Sequence, residues 1–412
     1  MAKLPKPPEI NIGTIGHVDH GKTTLVQAMT GEWASRHSEE LKRGITIKLG
    51  YADAAIYKCP NCPEPECYCT SEICSNCGGE AELQRTLSFV DAPGHEILMA
   101  TMLSGAAVMD GAILVIAANE TCPQPQTREH LAAIEAVGLK NLIVVQNKID
   151  LVSIERAEES YKEIKSFLKG SIAENAPIIP VSAQQLINID LLVQAMQEYL
   201  PTPERDPDLP PRMYIVRSFD VNKPGTAIED MVGGVIGGSI TQGSFHLEDE
   251  IEIRPGLPQR QKNRVKMREI YTTITSLHVG NTQVEEAIPG GLAGIGTMLD
   301  PSLTKSDGLV GSLAGKPGTL PPVLESMVLE YRLFDKVVGS MTEEKVAKIA
   351  KGEKLLLNVG TAKTMGEVSD VSKKTVEMQL SIPVCALPGD RVALSRRIGG
   401  RWRLIGVGTV SG

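Results

Sequence analysis

The sequence predicts an α/β domain with a mostly parallel sheet, helices on both faces and a cysteine-rich insert, followed by two β-barrel domains. Three observations carry this prediction. Up to about residue 200, apolar runs without polar alternation are separated by helical stretches, as strands buried on both faces require. PTPERDPDLPPR (201–212) then breaks the pattern with five prolines and no apolar period, which makes it a linker. Beyond it helices nearly vanish and short alternating strands recur between glycine-rich turns, the pattern of β-barrels.

The chain has 412 residues, too many for one ordinary core. The predicted boundaries are 1–203 for the α/β domain, 204–323 for the first barrel and 324–412 for the second, with a break at KPGTLPPV (316–323) between the barrels. Aromatics are 4% of residues, so the cores must be built from Val, Ile, Leu and Ala. MAKLPKPPEI has no apolar run to act as a signal peptide, and no segment reaches about 18 uninterrupted apolar residues. A cytoplasmic protein without membrane contact is expected. There thiols stay reduced, so the cysteines point to metal rather than disulfides. Net charge is −8, which argues against a surface coated in nucleic acid. From Leu324 onward, however, fourteen Lys and Arg face ten Asp and Glu, so the last segment carries +4 and the rest −12.

In the first domain the predicted strands are INIGTIG (10–16), TLSFVDA (86–92), AILVIAAN (112–119), LIVVQNK (142–148) and APIIPVSA (176–183). EILMATMLSGAAVMD, QTREHLAAIEAVGL, SIERAEESYKEIKSFLKG and NIDLLVQAMQEYL show apolar residues at helical spacing.

The chemistry sits at strand ends. GHVDHGKT, Gly16 to Thr23, fits GxxxxGK[ST] between a strand and a helix, the context a phosphate loop requires. Val18, Asp19, His20 and Gly21 supply the loop, Lys22 reaches the β- and γ-phosphates, and the Thr23 hydroxyl binds Mg²⁺ with Thr24 beside it. DAPGH follows a strong strand. There Asp91 is placed to hold Mg²⁺ through water, and Gly94 to offer its N–H to a γ-phosphate. NKID ends the next strand and Ser182–Ala183 another, with Gln184 following. A carboxylate such as Asp150 accepts from guanine N1–H and the 2-amino group together, whereas adenine would leave it unpaired. Asn147 ties neighbouring loops, Lys148 lies along the base, and the Ala183 N–H meets O6. In this order the motifs define a GTP site, making the first domain an α/β P-loop GTPase domain. In RGITI, Arg43 to Ile47, a threonine hydroxyl can complete Mg²⁺ coordination, so loss of the γ-phosphate would release the loop. Spacing alone does not exclude an ordinary strand start there.

GHVDHGKT, RGITIKLGYADA, DAPGH, CPQPQTREH and NKID resemble the translational GTPases of elongation factor Tu type. More closely, the chain resembles the gamma subunits of archaeal and eukaryotic initiation factor two, from about residue 8 to its end. RGITIKLGYADA, the CxxC…CxxC insert and QPQTREH set it apart from bulk elongation factors. The resemblance implies that Val18 and Ile45 form an apolar gate beside the γ-phosphate, and that His95 orients the attacking water. With it Asp91, Lys22 and Thr46 complete the catalytic set, and Thr23, Thr46 and Asp91 hold Mg²⁺. It implies GTP-dependent binding of initiator methionyl-tRNA, an alpha subunit on the first barrel, a beta subunit on the GTPase domain, and delivery to the small ribosomal subunit. No arginine is obviously aimed at the γ-phosphate, so slow intrinsic hydrolysis is expected. Two other resemblances compete. Selenocysteine-specific elongation factors usually carry a further C-terminal extension, whereas this sequence stops at GTVSG. GTPase subunits of sulfate-activating enzymes tend to read GHVDDGKS, where this chain has His20 and Thr23.

QRQKNRVKMR places Arg260, Lys262, Arg264, Lys266 and Arg268 at period two. On one strand all five would share a face, either a phosphate-binding stripe for tRNA or an edge protected by charge. RRIGGRWR (396–403) is a second basic cluster, either an RNA or protein contact or a solvated hairpin.

The insert 58–80 holds six of the eight cysteines. It lies between the first switch strand and TLSFVDA, which form an antiparallel hairpin in a GTPase domain, so it occupies the hairpin tip. Cys59-x-x-Cys62 and Cys74-x-x-Cys77 are matched pairs, and Gly78 and Gly79 can turn N–H groups toward sulfur. Four thiolates predict a closed, structural Zn²⁺ knuckle. Cys67 and Cys69 are spare thiols or replacements for one of the four.

Overall fold

The computed structural model describes residues 4–33, 49–93, 99–261, 264–280, 282–338 and 344–411, with backbone alone at 260, 261, 264 and 265. The chain divides between Pro203 and Glu204 into two compact units, the second holding both barrels.

The first unit is built on seven strands: β1 (Ile10–Gly16), β2 (Gly50–Lys58), β3 (Tyr68–Cys69), β4 (Glu82–Asp91), β5 (Gly111–Ala117), β6 (Leu142–Asn147) and β7 (Ile178–Pro180). Their order is β3-β2-β4-β1-β5-β6-β7. β4, β1, β5, β6 and β7 run parallel, while β2 pairs antiparallel with β4 and β3 with β2. β1, β5 and β6 are buried along their whole length, which is why their sequences carry no polar alternation. The helices are α1 (Lys22–Thr30), α2 (Met99–Ala106), α3 (Pro125–Val137), α4 (Ile154–Leu168) and α5 (Ile189–Tyr199). In α4 only Ser160, Ile164 and Leu168 are buried, one stripe of a charged helix, and the Ser153 hydroxyl accepts from the Arg156 N–H to cap its start. Leu25, Val26 and Met29 of α1, Ile12 of β1, Phe89 of β4 and Leu192 and Met196 of α5 share one core. Parallel strands put their carboxyl ends on a single edge, so the segments after β1, β4, β6 and β7 meet there.

β2 and β4 run as a hairpin from Gly50↔Asp91 to Lys58↔Glu82. The insert 58–80 occupies its far tip, where β3 pairs Tyr57↔Cys69. At about 3.4 Å per residue the tip stands about 31 Å from Asp91 along β4.

In the second unit the first barrel uses β8 (Arg212–Phe219), β9 (Val235–Gln242), β11 (Glu250–Gln261), β12 (Arg264–Val279), β15 (Leu292–Thr297) and β16 (Leu313–Gly315). They run β11-β16-β8-β9-β15-β12 and close by β11 pairing β12, with β13 (Thr282–Val284) added outside β12. β10 (Phe245–His246) and β14 (Glu286–Ala287) form a separate pair. The second barrel closes as β17-β20-β19-β18-β21-β22, from β17 (Val323–Leu333), β18 (Lys354–Val359), β19 (Ala362–Val371), β20 (Thr375–Cys385), β21 (Arg391–Ile398) and β22 (Arg401–Val410). Each barrel has its own aliphatic interior, and closure leaves no long unpaired barrel edge among the described residues.

One expectation changes here. The basic run 260–268 is a hairpin, not one strand, because β11 ends at Gln261 and β12 begins at Arg264. Arg260 registers opposite Val265 and Gln259 opposite Lys266, so the period-two phase does not carry from β11 into β12. Arg264, Lys266 and Arg268 keep one phase on β12; Lys266 and Arg268 are exposed. Lys262 lies outside the described residues. The second basic cluster is also a hairpin, with Arg396↔Arg403 and Arg397↔Trp402 paired. There Arg396 is spent on structure, bonded to Glu353 and to the Ala347 and Lys348 carbonyls.

Candidate functional site

The loop Gly16–Thr23 leaves the end of β1 and enters α1. Gly16 sits at φ +135°, and a Cβ there would lie 2.3 Å from the Val115 carbonyl oxygen. Gly21 caps α1 at φ +88°, where a Cβ would lie 2.3 Å from Asn147 Nδ2. Asp19 also has a positive φ, 61°. Positive φ at Asp19 and Gly21 is the backbone conformation from which anion-binding nests are built.

Lys22 is buried and donates from Nζ to the His17 carbonyl at 2.7 Å. Burial pushes its ammonium down to about 8, against partial compensation from Asp91 and Asp19. A buried cation short of negative charge fits a phosphate. Thr23 donates from its hydroxyl to Asp91 Oδ2 at 2.6 Å, and Thr14 donates to Oδ1 at 2.8 Å. Asp91 is fully buried. Hydroxyl and carboxylate stand close enough for one Mg²⁺ to engage both, directly or through water. Nucleotide phosphates and Mg²⁺ thus fit the residues present.

On the base side, Asn147 Nδ2 donates to the His20 carbonyl at 2.9 Å, and its Oδ1 accepts from the Ala183 N–H at 3.1 Å. One buried amide thus joins the phosphate loop to the segment after β7. Lys148 follows in a left-handed conformation, φ 63°, which turns the chain so that Asp150 is exposed. Ser182 is buried and its hydroxyl accepts from the Gln185 N–H at 3.2 Å, while Gln184 is exposed. Val18 and Thr24 are half-buried on the loop and helix. An exposed Asp150 beside the buried Asn147 leaves a carboxylate free to meet an incoming base edge.

Histidines surround the loop. His20 is buried, with Nδ1 3.1 Å from the Val115 carbonyl and Nε2 3.3 Å from Glu120. Burial pulls its imidazole down to about 4 even though the Val115 bond and Glu120 oppose it. The ring of His17 stands 5.1 Å from that of His20. His130 of α3 accepts the Gly16 N–H on Nδ1 at 2.8 Å. Thr14, Glu120 and His130 were not among the residues the motifs assign, although His130 ends the stretch QTREH. Arg43, Ile45, Thr46, Gly94 and His95 lie outside the described residues.

At the hairpin tip the four sulfurs of Cys59, Cys62, Cys74 and Cys77 lie within 4.8 Å of one another. Cys59 and Cys77 are 3.5 Å apart, Cys62 and Cys74 3.8 Å. Zn–S bonds of about 2.3 Å in a tetrahedron require sulfurs about 3.8 Å apart, so the cluster is of a size and composition to hold Zn²⁺. Gly78 has φ +70°, and the next N–H, of Gly79, donates to Cys77 Sγ at 3.4 Å. N–H groups of Cys77 and Asn76 pull the Cys74 thiol down to about 7, toward the thiolate a metal needs. Cys67 and Cys69 stand outside this set: both are buried, and Cys69 donates to the Ser71 carbonyl. Burial pushes both thiols up. The other two cysteines, Cys122 and Cys385, are held up at about 12 by burial, so neither is a reactive thiol. The tip is anchored to α5, whose Gln194 donates to Glu64 at 3.2 Å. Arg85 of β4 binds the end of the same helix through the Met196 and Leu200 carbonyls at 2.6 and 2.7 Å.

A phosphate loop, a hydroxyl–carboxylate pair for Mg²⁺ and guanine-side loops on one sheet edge, in a chain that continues into two barrels, define a translational GTPase. Residues 7–202 match the family "Elongation factor Tu GTP binding domain" and residues 233–308 match "Elongation factor Tu domain 2". Residues 325–410 match "Initiation factor eIF2 gamma, C terminal". The chain is 60% identical to translation initiation factor 2 subunit gamma of Pyrococcus horikoshii, covering 98% of this chain and 97% of that protein. Against the same subunit of Methanocaldococcus jannaschii it is 58% identical, covering 100% and 99%. It belongs to the family of translation initiation factor 2 gamma subunits, and it is a GTPase. Its fold is also that of a bacterial selenocysteine-specific elongation factor, with TM-score 0.75 and 24% identity over 97% of this chain and 58% of that one. The elongation factor SelB of Methanococcus maripaludis shares it too, with TM-score 0.72 and 22% identity over 100% and 80%. GTP, GDP and Mg²⁺ are the ligands the family implies. No helix among the described residues is long and apolar enough to cross a membrane.

Proposed function

We propose that this chain binds initiator methionyl-tRNA in its GTP state, delivers it to the small ribosomal subunit and is released after GTP hydrolysis. The observation that carries the proposal is likeness near 60% across the whole chain to proteins named initiation factor 2 gamma, which spans both barrels as well as the GTPase domain.

Lys22 and the loop N–H groups hold the phosphates. Thr23, Asp91 and Thr46 hold Mg²⁺, and Asn147, Lys148, Asp150, Ser182, Ala183 and Gln184 frame the guanine. Mg²⁺, when bound, neutralises charge on the phosphates. Thr14 and Thr23 fix the buried Asp91 carboxylate, which would then meet the metal directly or through water. His95 orients the attacking water, with Val18 and Ile45 as an apolar gate and Gly94 offering its N–H to the γ-phosphate. Hydrolysis is slow until a partner or the ribosome accelerates it; rapid single-turnover hydrolysis by the isolated chain would refute this. Zn²⁺ sits on Cys59, Cys62, Cys74 and Cys77 and stiffens the hairpin tip, remote from the nucleotide. In the cytoplasm the chain works in a heterotrimer, with an alpha subunit on the first barrel and a beta subunit on the GTPase domain. Lys266 and Arg268, with Arg264 in the same strand phase, form the part of the basic run suited to tRNA phosphates.

The test measures binding of initiator methionyl-tRNA, elongator methionyl-tRNA and selenocysteinyl-tRNA with GTP and with GDP, with and without an alpha subunit. Preference for initiator tRNA in the GTP state is expected. Absence of any GTP dependence would sink the carrier role.

A further inference from the structure

From the hydrogen bond between Gly16 and His130 we infer that His130 is a positioning residue for the nucleotide, acting through the first peptide of the phosphate loop. The Gly16 N–H donates to His130 Nδ1 at 2.8 Å with both groups buried, although 114 residues separate them. An N–H can only be accepted by a nitrogen that carries a lone pair. The ring must therefore be neutral, with its proton on Nε2.

The surroundings hold it in that state. The ring is fully buried, which drives its protonation well below the ordinary histidine range, and the Lys22 ammonium opposes a second positive charge there. Helix α3 supplies the rigidity: His130 sits among buried Leu131, Ala133 and Ile134 on the face that packs against β1 and β5.

Gly16 has little alternative to this partner. Its φ of +135° is open only to glycine, and Val115 crowds the other side of the residue. The loop is thereby fixed at both ends. Asn147 and the Val115 carbonyl hold His20 at the far end, and His130 holds Gly16 at the near end. Lys22 closes the middle through the His17 carbonyl. Without an acceptor, the Gly16 N–H becomes a buried orphan, and the loop gains by turning toward water. Binding a nucleotide must then undo that turn, so the loss appears as weaker, faster-dissociating nucleotide.

A core histidine that merely fills space predicts something different, and two substitutions separate the two roles. His130→Asn keeps an acceptor where Nδ1 stood, because Oδ1 and Nδ1 are both one bond beyond Cγ. His130→Leu keeps the bulk and removes the acceptor. Dissociation of a fluorescent GDP analogue from the full chain is followed by chase with unlabelled GDP, alongside thermal melting. The leucine variant is expected to release nucleotide about tenfold faster, with the asparagine variant within about threefold of wild type. If both variants match wild type, or both release nucleotide equally fast, the inference fails. A readout that needs no variant covers the case in which His130→Leu does not fold. In the full chain labelled with ¹⁵N-histidine, the His130 ring must appear as a neutral ring with bare Nδ1 at neutral pH. A proton on Nδ1 overturns the inference.

Discussion

Replacing Gly21 with alanine should be far more damaging than the loss of a backbone freedom suggests. Alanine at φ +88° costs about 1 kcal/mol in strain. Its Cβ would also lie 2.3 Å from Asn147 Nδ2, so the amide must swing away. That breaks the bonds to the His20 carbonyl and from the Ala183 N–H, about 1 kcal/mol each. The total, about 3 kcal/mol, falls on the conformation that binds nucleotide. At about 1.4 kcal/mol per tenfold it weakens GDP binding about a hundredfold. Equilibrium titration with a fluorescent GDP analogue measures it. A double-mutant cycle sharpens the test: Asn147→Ala alone also loses both bonds, so adding Gly21→Ala to it should cost only the strain. GDP binding by Gly21→Ala within about threefold of wild type, or full additivity in the cycle, would refute the reasoning.

Four further outcomes follow from the same geometry. Thr14→Val keeps the shape but takes a donor from the buried Asp91 carboxylate, costing about 2 kcal/mol; melting should fall by about 6 °C, and an unchanged melt speaks against the bond's importance. Burial holds Lys22 at about 8 against an ordinary 10.5. Between those values the unfolded chain binds more protons, so stability of the nucleotide-free protein rises with pH there. Phosphate restores the charge, so GDP binding at about pH 9 should take up a proton and weaken as pH rises; calorimetry in buffers of different ionisation enthalpy would show no uptake if Lys22 does not meet phosphate. Cys74→Ser should abolish a stoichiometric Zn²⁺ and lower the melting temperature, whereas Cys67→Ser with Cys69→Ser should retain the metal, both read by metal analysis. Charge reversal at Lys266 and Arg268 should weaken initiator tRNA and flatten the salt dependence by about one unit for each phosphate no longer neutralised; unchanged affinity and slope would leave the arm a charged hairpin only.

Much of this protein is legible before folding because its chemistry is written in contiguous stretches. Gly16 to Thr23 form one turn of chain, so glycine positions and a trailing lysine announce the phosphate loop without knowledge of any neighbour. The CxxC pairs are similarly local, and each needs only a tight turn to aim its sulfurs. The alternation of buried strands and helices, the proline-rich linker and the glycine-rich strands beyond it follow from periodicity alone.

What the tertiary structure decided are relations across long sequence gaps. Thr14 reaches Asp91 over 77 residues, and His130 reaches Gly16 over 114. Those meetings depend on which strands pair and in what register, and no local spacing encodes them. The basic run of 260–268 shows the same limit from the other side. Its period of two reads as one strand, yet β11 ends at Gln261 and pairs antiparallel with β12 from Arg264, which breaks the phase. Local chemistry is set by neighbours along the chain, and so the sequence determined the phosphate, guanine and cysteine motifs. The partners that hold those motifs in place are neighbours only in space, brought together by burial of the parallel sheet, and they were decided by the fold.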